Sequence, residues 1–420
     1  MHYAKNFDWE TGSGEVADLS RWEERFEWIE EPVISPDGRT VAVAGKLADD
    51  SFAVCVNGED WEQTFEKVWN LRFTPDGRLM ALVQADGMWT VAVDGEPWEE
   101  SFDFVWNPMC GADGSNIAVC VQSGGEYGMA VDGAPWETLY PNANNARISP
   151  TGGKTAAAVQ TTPLGQAEIE KFQAGIFSAA VDGEPWGSRF VNVWGLAFSP
   201  DGERVAAEVR LNLYEYTVAV GGKPWKQTFS GVWEPAFSPD GRRVAAPVRI
   251  DGKWTLAVDG QRAWNGSYYQ LWQQAFTPEG GHVAAIVCPE YGKWTVAVDD
   301  KPWAATRDVV RDLTLSPDGM SAAAVAGRPG DWTVLHDGKP WAGSFERIWK
   351  PVFSPDGRHV AAVVEKGGVR TVAVDGKPLL RKGMSCQDPV FAPNSTRVLL
   401  KCTDGRKFER AVVPVSDFNR

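Results

Sequence analysis

Histidine is scarce in this chain, and the usual catalytic motifs are absent. The 420 residues include only four histidines, and no two of them are spaced as metal ligands or as a catalytic acid and base. No G-x-S-x-G elbow, phosphate-binding loop or dinucleotide-binding glycine motif occurs. The sequence therefore predicts no catalytic, cofactor-binding or metal-binding residues, and it favours a non-catalytic protein.

Cysteine is also sparse, and its spacing excludes the common metal sites. None of the six cysteines forms a C-x-x-C pair, so zinc, iron–sulfur and covalent haem sites are not indicated. Free cysteine is among the most buried residue types. We therefore expect buried, reduced thiols at Cys55, Cys110, Cys120, Cys288, Cys386 and Cys402.

Long apolar runs and an excess of positive charge are missing as well. No run approaches the ~20 apolar residues that a membrane-spanning helix needs, and residues 1–10 lack the apolar core of a secretory signal. The formal net charge of −15 disfavours binding to nucleic acid or to anionic lipid. We expect a cytoplasmic protein with no membrane span, associated with a membrane only through partners.

What the chain does contain is a repeat that fills its whole length. The turn tetrapeptide S-P-D-G, or a close relative, occurs ten times at steps of 37 to 39 residues, with one step of 50. A period of this size indicates one supersecondary unit copied many times, each copy burying its face on the next. The ten copies lie at residues 35–38, 74–77, 111–114, 149–152, 199–202, 238–241, 277–280, 316–319, 354–357 and 392–395.

Each repeat has the pattern of four short strands, here called A to D. Strand A ends at S-P-D-G, strand B is the R-x-V-A-A-x-V run, strand C is the W-T-V-A-V run, and strand D begins at P-W after an Asp-Gly turn. Four antiparallel strands per ~40 residues, radially repeated, predict the blade of a β-propeller. We therefore predict an all-β fold with about ten blades, as one ring or, alternatively, as two five-bladed rings.

The ends of the chain predict how the ring closes. Residues 22–26 match the strand D pattern of other repeats, and the last repeat supplies strands A, B and C but no D. An N-terminal strand can thus complete the C-terminal blade and remove an open sheet edge. The predicted organisation is a tail at 1–20 and a propeller at 21–415, with an insertion at 161–177 between strands B and C of the fourth repeat.

The F-S-P-D-G-R-x-V-A-A and V-A-V-D-G-x-P segments resemble the WD40-like repeat of TolB-type propellers, over essentially the whole chain. The chain departs from that family in having 21 tryptophans. In tryptophan density and length it resembles the tryptophan-rich TmcD subunits of the Tmc electron-transfer complexes of sulfate-reducing bacteria. That resemblance implies a role in sulfate respiration, with a cytochrome b, an iron–sulfur subunit and a multihaem cytochrome c as partners.

Most tryptophans fall at three positions of the repeat. One set starts strand D, a second starts strand C, and a third lies in strand A, four residues before its terminal Phe. Aromatic side chains at a fixed register suit the space between blades. Strands A and C run parallel, so their tryptophans should lie towards one rim, where aromatic residues favour protein interfaces. The predicted partner-binding residues are Trp69, Trp106, Trp194, Trp233, Trp272, Trp349 and Arg311.

Two functions remain open from these residues. The first is a non-catalytic interaction subunit of a membrane-bound redox complex, as the second resemblance implies. The second is a propeller enzyme, or a binder of carbohydrate or another small ligand, that uses the tryptophan-bearing rim.

Overall fold

A computed structural model describes residues 3–166, 168–379 and 385–419. It shows ten antiparallel sheets, each made by one repeat and following one another in chain order. Most buried clusters draw side chains from two successive sheets; one joins Ala17 and Phe408 of the last sheet to Val41 and Cys55 of the first. The fold is therefore a single ten-bladed propeller, as the turn spacing predicted, and not two five-bladed rings.

The strands follow the A-to-D pattern in every blade. Strand A comprises Trp28–Ile29 with Val33–Ile34, Lys67–Phe73, Phe104–Cys110, Ala143–Ile148, Asn192–Phe198, Ala236–Phe237, Gln270–Phe276, Val309–Leu315, Arg347–Ile348 with Val352–Phe353, and Ser385–Cys386 with Val390–Phe391. Strand B comprises Val41–Lys46, Leu79–Ala85, Ile117–Ser123, Thr155–Gln160, Val205–Arg210, Val244–Ile250, Val283–Glu290, Ala322–Arg328, Val360–Lys366 and Arg397–Asp404. Strand C comprises Phe52–Val56, Met88–Val93, Glu126–Val131, Phe177–Val181, Tyr216–Val220, Lys253–Val258, Lys293–Val298, Asp331–His336, Val369–Val374 and Lys407–Pro414.

Strand D is short in the first nine blades and long in the tenth. It comprises Glu59–Asp60, Glu96–Pro97, Ala134–Pro135, Glu184–Pro185, Lys223–Pro224, Gln261–Arg262, Lys301–Pro302, Lys339–Pro340, Lys377–Pro378 and, in blade 10, Gly12–Asp18. Two short α-helices, Ser20–Glu23 and Ile169–Gln173, and two 3₁₀ helices, Tyr3–Asn6 and Val415–Asn419, complete the described elements.

The repeated turns explain why the motif residues recur. In the first S-P-D-G turn, the Ser35 hydroxyl donates to Asp37 at 2.5 Å, and Gly38 has a φ of 74°. In the Asp-Gly turn between strands C and D, Asp94 and Gly95 both have positive φ, as a type I′ hairpin requires. The Asp94 carboxylate also accepts the amide of Leu79 at 2.8 Å, so the repeated aspartates hold turns together.

Strand A differs between two groups of blades. Six blades have a continuous strand with a bulge, at which an Asn, Gly, Gln or Asp takes positive φ; in blade 2 this residue is Asn70. In blades 1, 6, 9 and 10 strand A is shortened or broken just before Pro32, Pro235, Pro351 and Pro389. Proline cannot donate to the ladder, and the residue before it is restricted. Pro108 occupies the same position in blade 3, where it follows the positive-φ residue Asn107 and the strand stays continuous.

Ring closure uses a different segment from the one that the sequence predicted. Gly12–Asp18, inside the predicted tail, pairs with strand C of blade 10. Residues 22–26 are not a strand; they begin in the short helix and continue in a turn. Trp22 and Phe26 are nevertheless buried, as Trp136 and Phe65 are at the equivalent positions of other blades, and Trp22 packs on Gly58 of blade 1. The N-terminus therefore closes blade 10, as predicted, with its paired strand ten residues earlier.

The cysteine prediction was wrong for one pair. Cys386 and Cys402 lie directly opposite each other on strands A and B of blade 10 and form a disulfide. Other blades place two aliphatic residues here, such as Val105 opposite Val121. The bond is possible because strand pairing brings together two residues that lie 16 apart in sequence. The other four cysteines are free, and only Cys110 among them is not fully buried.

Candidate functional site: the aromatic rim

One rim of the propeller carries pairs of rings that link strands A and C of the same blade. In blade 6 Trp233 stacks on Trp254 with ring centroids 5.3 Å apart, and in blade 7 Trp272 lies 5.8 Å from Trp294. Blades 3 and 5 contain the equivalent pairs, at 6.2 and 6.4 Å: Trp106 with Tyr127 and Trp194 with Tyr216. These contacts place the strand A and strand C aromatics at the same rim, as the parallel run of the two strands predicted.

Arginine takes one place of the pair in two further blades. The Arg311 guanidinium in blade 8 lies 5.1 Å from the Trp332 ring, and in blade 9 that of Arg370 lies 4.4 Å from Trp349. Arg311 also donates to the Ile348 carbonyl of the next blade at 2.7 Å. Cation–π contacts thus continue the row of rings through blades 8 and 9.

Exposure separates these rings from the other tryptophans. Trp69, Trp233 and Trp272 expose 46%, 48% and 44% of their surface. Trp106, Trp194, Trp349 and Arg311 are partly buried. All seven predicted residues therefore lie on one rim, and three of them offer large apolar surface to solvent.

The tryptophans at the start of strand D serve packing between blades. Trp61 of blade 1 lies against Gly95 of blade 2, where an added β-carbon would be 3.3 Å from the ring. Trp136 is buried and donates its indole N–H to the Thr155 hydroxyl at 2.8 Å. These rings fill the wedge between neighbouring sheets, which explains their fixed register.

The sequence prediction missed several exposed aromatic residues on the same rim. Trp28, Tyr269 and Tyr291 expose 52%, 44% and 86% of their surface, and Phe104 bridges Trp69 and Trp106 between blades 2 and 3. None of the four lies in the tryptophan register: Trp28 and Phe104 precede the strand A position by two residues, Tyr269 precedes it by three, and Tyr291 lies in the turn between strands B and C. The repeat pattern alone therefore did not single them out.

Two long loops between strands B and C extend this rim. The insertion of blade 4 folds into the helix Ile169–Gln173, which buries none of its residues. Ile169 and, in the neighbouring loop of blade 5, Leu213 and Tyr214 are exposed at 65%, 48% and 79%. The loops thus add apolar surface beside the rings of blade 5.

Two charged residues replace apolar side chains at one position of strand B. Glu208 in blade 5 and Lys401 in blade 10 lie where other blades have residues such as Leu82 or Val363. Burial, reinforced by the nearby carboxylate of Glu234, raises the pKa of Glu208 to about 7. Burial lowers the pKa of the Lys401 ammonium, against the opposing effect of Asp388 and Asp37.

An open cavity of about 1060 Å³ is lined mainly by strand A residues of blades 10, 1 and 2. Its lining includes Trp28 and Trp69 at the rim together with Glu30, Gln387 and Lys401. Within the described residues, no group of three His, Cys, Asp or Glu side chains could hold a metal ion, and no helix is long and apolar enough to cross a membrane.

No family model and no curated protein matches the chain. Among solved structures, it is similar to a eukaryotic initiation factor at 14% identity and TM-score 0.47, covering 78% of this chain and 90% of that one. It is similar to TolB from Acinetobacter baumannii at 17% identity and TM-score 0.30, covering 74% of this chain and 78% of that one. It is similar to the Dos1 propeller at 12% identity and TM-score 0.35, covering 96% of this chain and 94% of that one. These similarities are too distant to carry an argument, so the fold rests on the strand pairing described above.

Proposed function

We propose that this chain is a non-catalytic interaction subunit that binds partner proteins through its aromatic rim. One observation carries the proposal. Trp69, Trp233 and Trp272, in blades 2, 6 and 7, expose nearly half of their surface, although packing between blades does not require this exposure. Trp is enriched in the residues that dominate binding energy at interfaces. Large contiguous apolar patches on a protein surface mark interaction sites.

The rim is rigid, which suits docking. Each of the three exposed strand A tryptophans contacts a second ring on the same or the next blade, as Trp233 does Trp254. In blade 7 strand A pairs with strand B on both sides of its bulge, and in blade 6, where strand A is short, the Trp233 amide donates to the Pro247 carbonyl at 3.0 Å. A preformed aromatic surface loses little side-chain entropy on binding, so more of its contact energy appears as affinity.

We further propose that the partners belong to a membrane-bound electron-transfer complex, in which this subunit sits on the cytoplasmic side. The resemblance in tryptophan density to the TmcD subunits supports this finer proposal. The same resemblance implies a cytochrome b, an iron–sulfur subunit and a multihaem cytochrome c as partners. Electrons would pass through those subunits, while this chain would contribute structure or regulation.

The test is a pull-down of the tagged full-length protein from its native cells in a mild detergent, with haem spectra and mass spectrometry of the eluate. Co-elution of b- and c-type haem with an iron–sulfur subunit supports the proposal. A colourless, monodisperse monomer would contradict the redox-complex proposal.

Two variants show whether the rim carries the interaction. The double substitution of Trp233→Ala and Trp272→Ala removes two exposed rings on adjacent blades, and it should reduce the haem recovered at least tenfold. Met320→Ala is the matched control, because Met320 is 82% exposed directly after the S-P-D-G turn of blade 8, away from the rim. Equal loss in both variants, or loss in neither, would rule out docking through this rim.

A further inference from the structure

Charge is distributed unevenly around the aromatic rim. The hairpins between strands B and C, each taken with one flanking residue of either strand, differ between the two halves of the ring. In blades 1, 2 and 3 (residues 46–52, 85–88 and 123–126) the charged residues of these hairpins are Lys46, Asp49, Asp50, Asp86 and Glu126. In blades 6 to 10 (residues 250–253, 290–293, 328–331, 366–369 and 404–407) Lys and Arg are at least as numerous as Asp and Glu. The hairpins are therefore acidic in blades 1 to 3 and balanced or basic in blades 6 to 10.

The segments that lead into strand A add carboxylates to the same part of the rim. Those of blades 1 to 3 contain the exposed residues Glu27, Glu31, Glu66 and Asp103. Glu66 accepts the Gly87 amide at 3.1 Å, and Asp103 accepts the Gly124 amide at 2.7 Å. Because Gly87 and Gly124 belong to the hairpins of the same blades, the two groups of carboxylates share one surface. We call it the acidic sector, and it consists of Glu27, Glu31, Asp49, Asp50, Glu66, Asp86, Asp103 and Glu126.

Most cations near the acidic sector are already bound to the chain itself. Lys46 is ion-paired with two carboxylates of the sector, at 2.5 and 3.6 Å, and Arg25 is ion-paired with a carboxylate of strand D at 3.2 Å. Arg72 donates to a backbone carbonyl of blade 3. Lys67 is exposed at the start of strand A of blade 2. The sector therefore keeps an excess of negative charge.

Exposed aromatic rings lie among these carboxylates. Trp28, Trp69 and Phe104 expose 52%, 46% and 37% of their surface. Within the described residues, no Lys or Arg of the chain stacks on any of these three rings. In blades 8 and 9, by contrast, Arg311 and Arg370 each lie over a tryptophan of their own blade. The acidic sector thus offers rings and carboxylates to cations that another protein would supply.

We propose that the acidic sector binds a basic face of the partner protein, whose Lys or Arg side chains lie on Trp28 and Trp69 and pair with the surrounding carboxylates. This inference rests on the proposed function and names the charge of the partner surface that meets blades 1 to 3. Like charges facing each other across an interface are unfavourable, so an acidic partner surface is excluded from this sector. Exposed charge pairs act mainly on the rate of association and on orientation. The uneven charge of the rim therefore fixes which side of the partner faces blades 1 to 3.

A synthetic basic peptide serves as the probe of the sector. A fluorescently labelled dodecapeptide of Ser-Arg repeats is titrated with the full chain, and binding is followed by fluorescence anisotropy; a Ser-Glu peptide of the same length is the counterpart. The Ser-Arg peptide should bind more tightly at ~50 mM than at ~150 mM salt, because salt screens exposed charges. The Ser-Glu peptide should bind at least about tenfold more weakly. Absence of Ser-Arg binding at ~1 mM protein, or comparable binding of the Ser-Glu peptide, would overturn the proposal.

Two triple variants of equal net charge locate the binding, with thermal melting to confirm that each is folded. The sector variant combines Glu31→Gln, Asp86→Asn and Glu126→Gln, whose exposed carboxylates make no hydrogen bond or ion pair with the described residues. The control combines Glu59→Gln, Glu96→Gln and Glu184→Gln, which are exposed at the start of strand D on the opposite rim. The sector variant should weaken Ser-Arg binding about tenfold, as three exposed ion pairs of ordinary strength would together, and the control less than about twofold. Equal loss in both variants, or loss in neither, would refute binding at the sector.

A ring variant separates failure of this inference from failure of the proposed function. Trp69→Ala should weaken Ser-Arg binding about threefold or more, whereas Trp272→Ala, 44% exposed at the same strand A position of blade 7, should leave it unchanged. Wild-type peptide binding in the sector variant and in Trp69→Ala, together with partner loss in the Trp233→Ala and Trp272→Ala double variant, would refute the acidic sector and leave the docking rim standing. Peptide binding confined to the sector, with no partner recovered in the pull-down, would support the sector and contradict the redox-complex proposal.

Discussion

Replacing Glu208 by Gln should stabilise the protein near neutral pH. Glu208 faces blade 6 from the fourth position of strand B, next to Glu234, and its carboxylate has no hydrogen bond or ion pair in the described residues. Burial of the charge, with Glu234 adding repulsion, raises its pKa from 4.5 to about 7. The folded chain therefore holds a proton that the unfolded chain releases between these two values, and stability falls as the pH rises through this window.

The size of the effect follows from the two pKa values. The separation of the two pKa values corresponds to at most ~3.5 kcal/mol, at about 1.4 kcal/mol for each pH unit. Solvent access at the rim reduces this, so we expect Glu208→Gln to gain ~1–3 kcal/mol at about pH 8 and little at about pH 4.5. A neutral amide left without partners has a smaller desolvation cost than a carboxylate.

Urea unfolding followed by tryptophan fluorescence, for wild type and variant across this pH range, measures the difference. Comparing the two proteins at each pH cancels the contribution to stability of the many carboxylates that titrate in both. Glu234→Gln serves as a second variant: it removes only the repulsion and should recover a smaller part of the gain. Parallel stability curves for wild type and Glu208→Gln, or a variant less stable at about pH 8, would refute the reasoning.

Three further predictions test the packing, the disulfide and the closure. Trp136→Ala should destabilise the fold by ~3–5 kcal/mol because it empties a buried space. Trp272→Ala should have a much smaller effect. Equal losses of unfolding free energy in urea would contradict the division into packing and exposed tryptophans. Thiol titration of the unfolded, unreduced protein should find four cysteines rather than six, and reducing the Cys386–Cys402 bond should cost ~2–4 kcal/mol. Deleting residues 1–19, which include Gly12–Asp18, should expose the edge of blade 10 and produce oligomers in size-exclusion chromatography with light scattering; a monomer of unchanged melting temperature would show that closure is dispensable.

The fold could be predicted because each blade repeats its own turn chemistry. Every S-P-D-G turn needs a side-chain acceptor and a residue of positive φ, so the tetrapeptide recurs wherever strands A and B meet. The closing strand could not be found in this way. Gly12–Asp18 has mostly exposed side chains and is held by backbone pairing to strand C of blade 10. Such an edge strand leaves little hydrophobic pattern in the sequence.

The candidate site was predicted only where it repeats. The six strand A tryptophans and Arg311 share a register, so their common rim followed from the direction of strands A and C. The cavity depends instead on Glu30 and Gln387, which are distant in sequence and become neighbours only when blade 10 closes on blade 1. The disulfide was missed for a similar reason, since strand pairing alone places Cys386 opposite Cys402.

Departures from the repeat say more about function here than the repeat itself. A residue found in most blades is explained by the packing that every blade needs. Glu208 and Lys401 have no such explanation, because an apolar side chain fills their position in other blades, and each leaves a charged group partly buried. They lie in blades 5 and 10, on opposite sides of a ten-membered ring. Features that cost stability without serving the fold are expected at functional sites. We therefore expect a ligand or partner to bind at blade 5 and at blade 10.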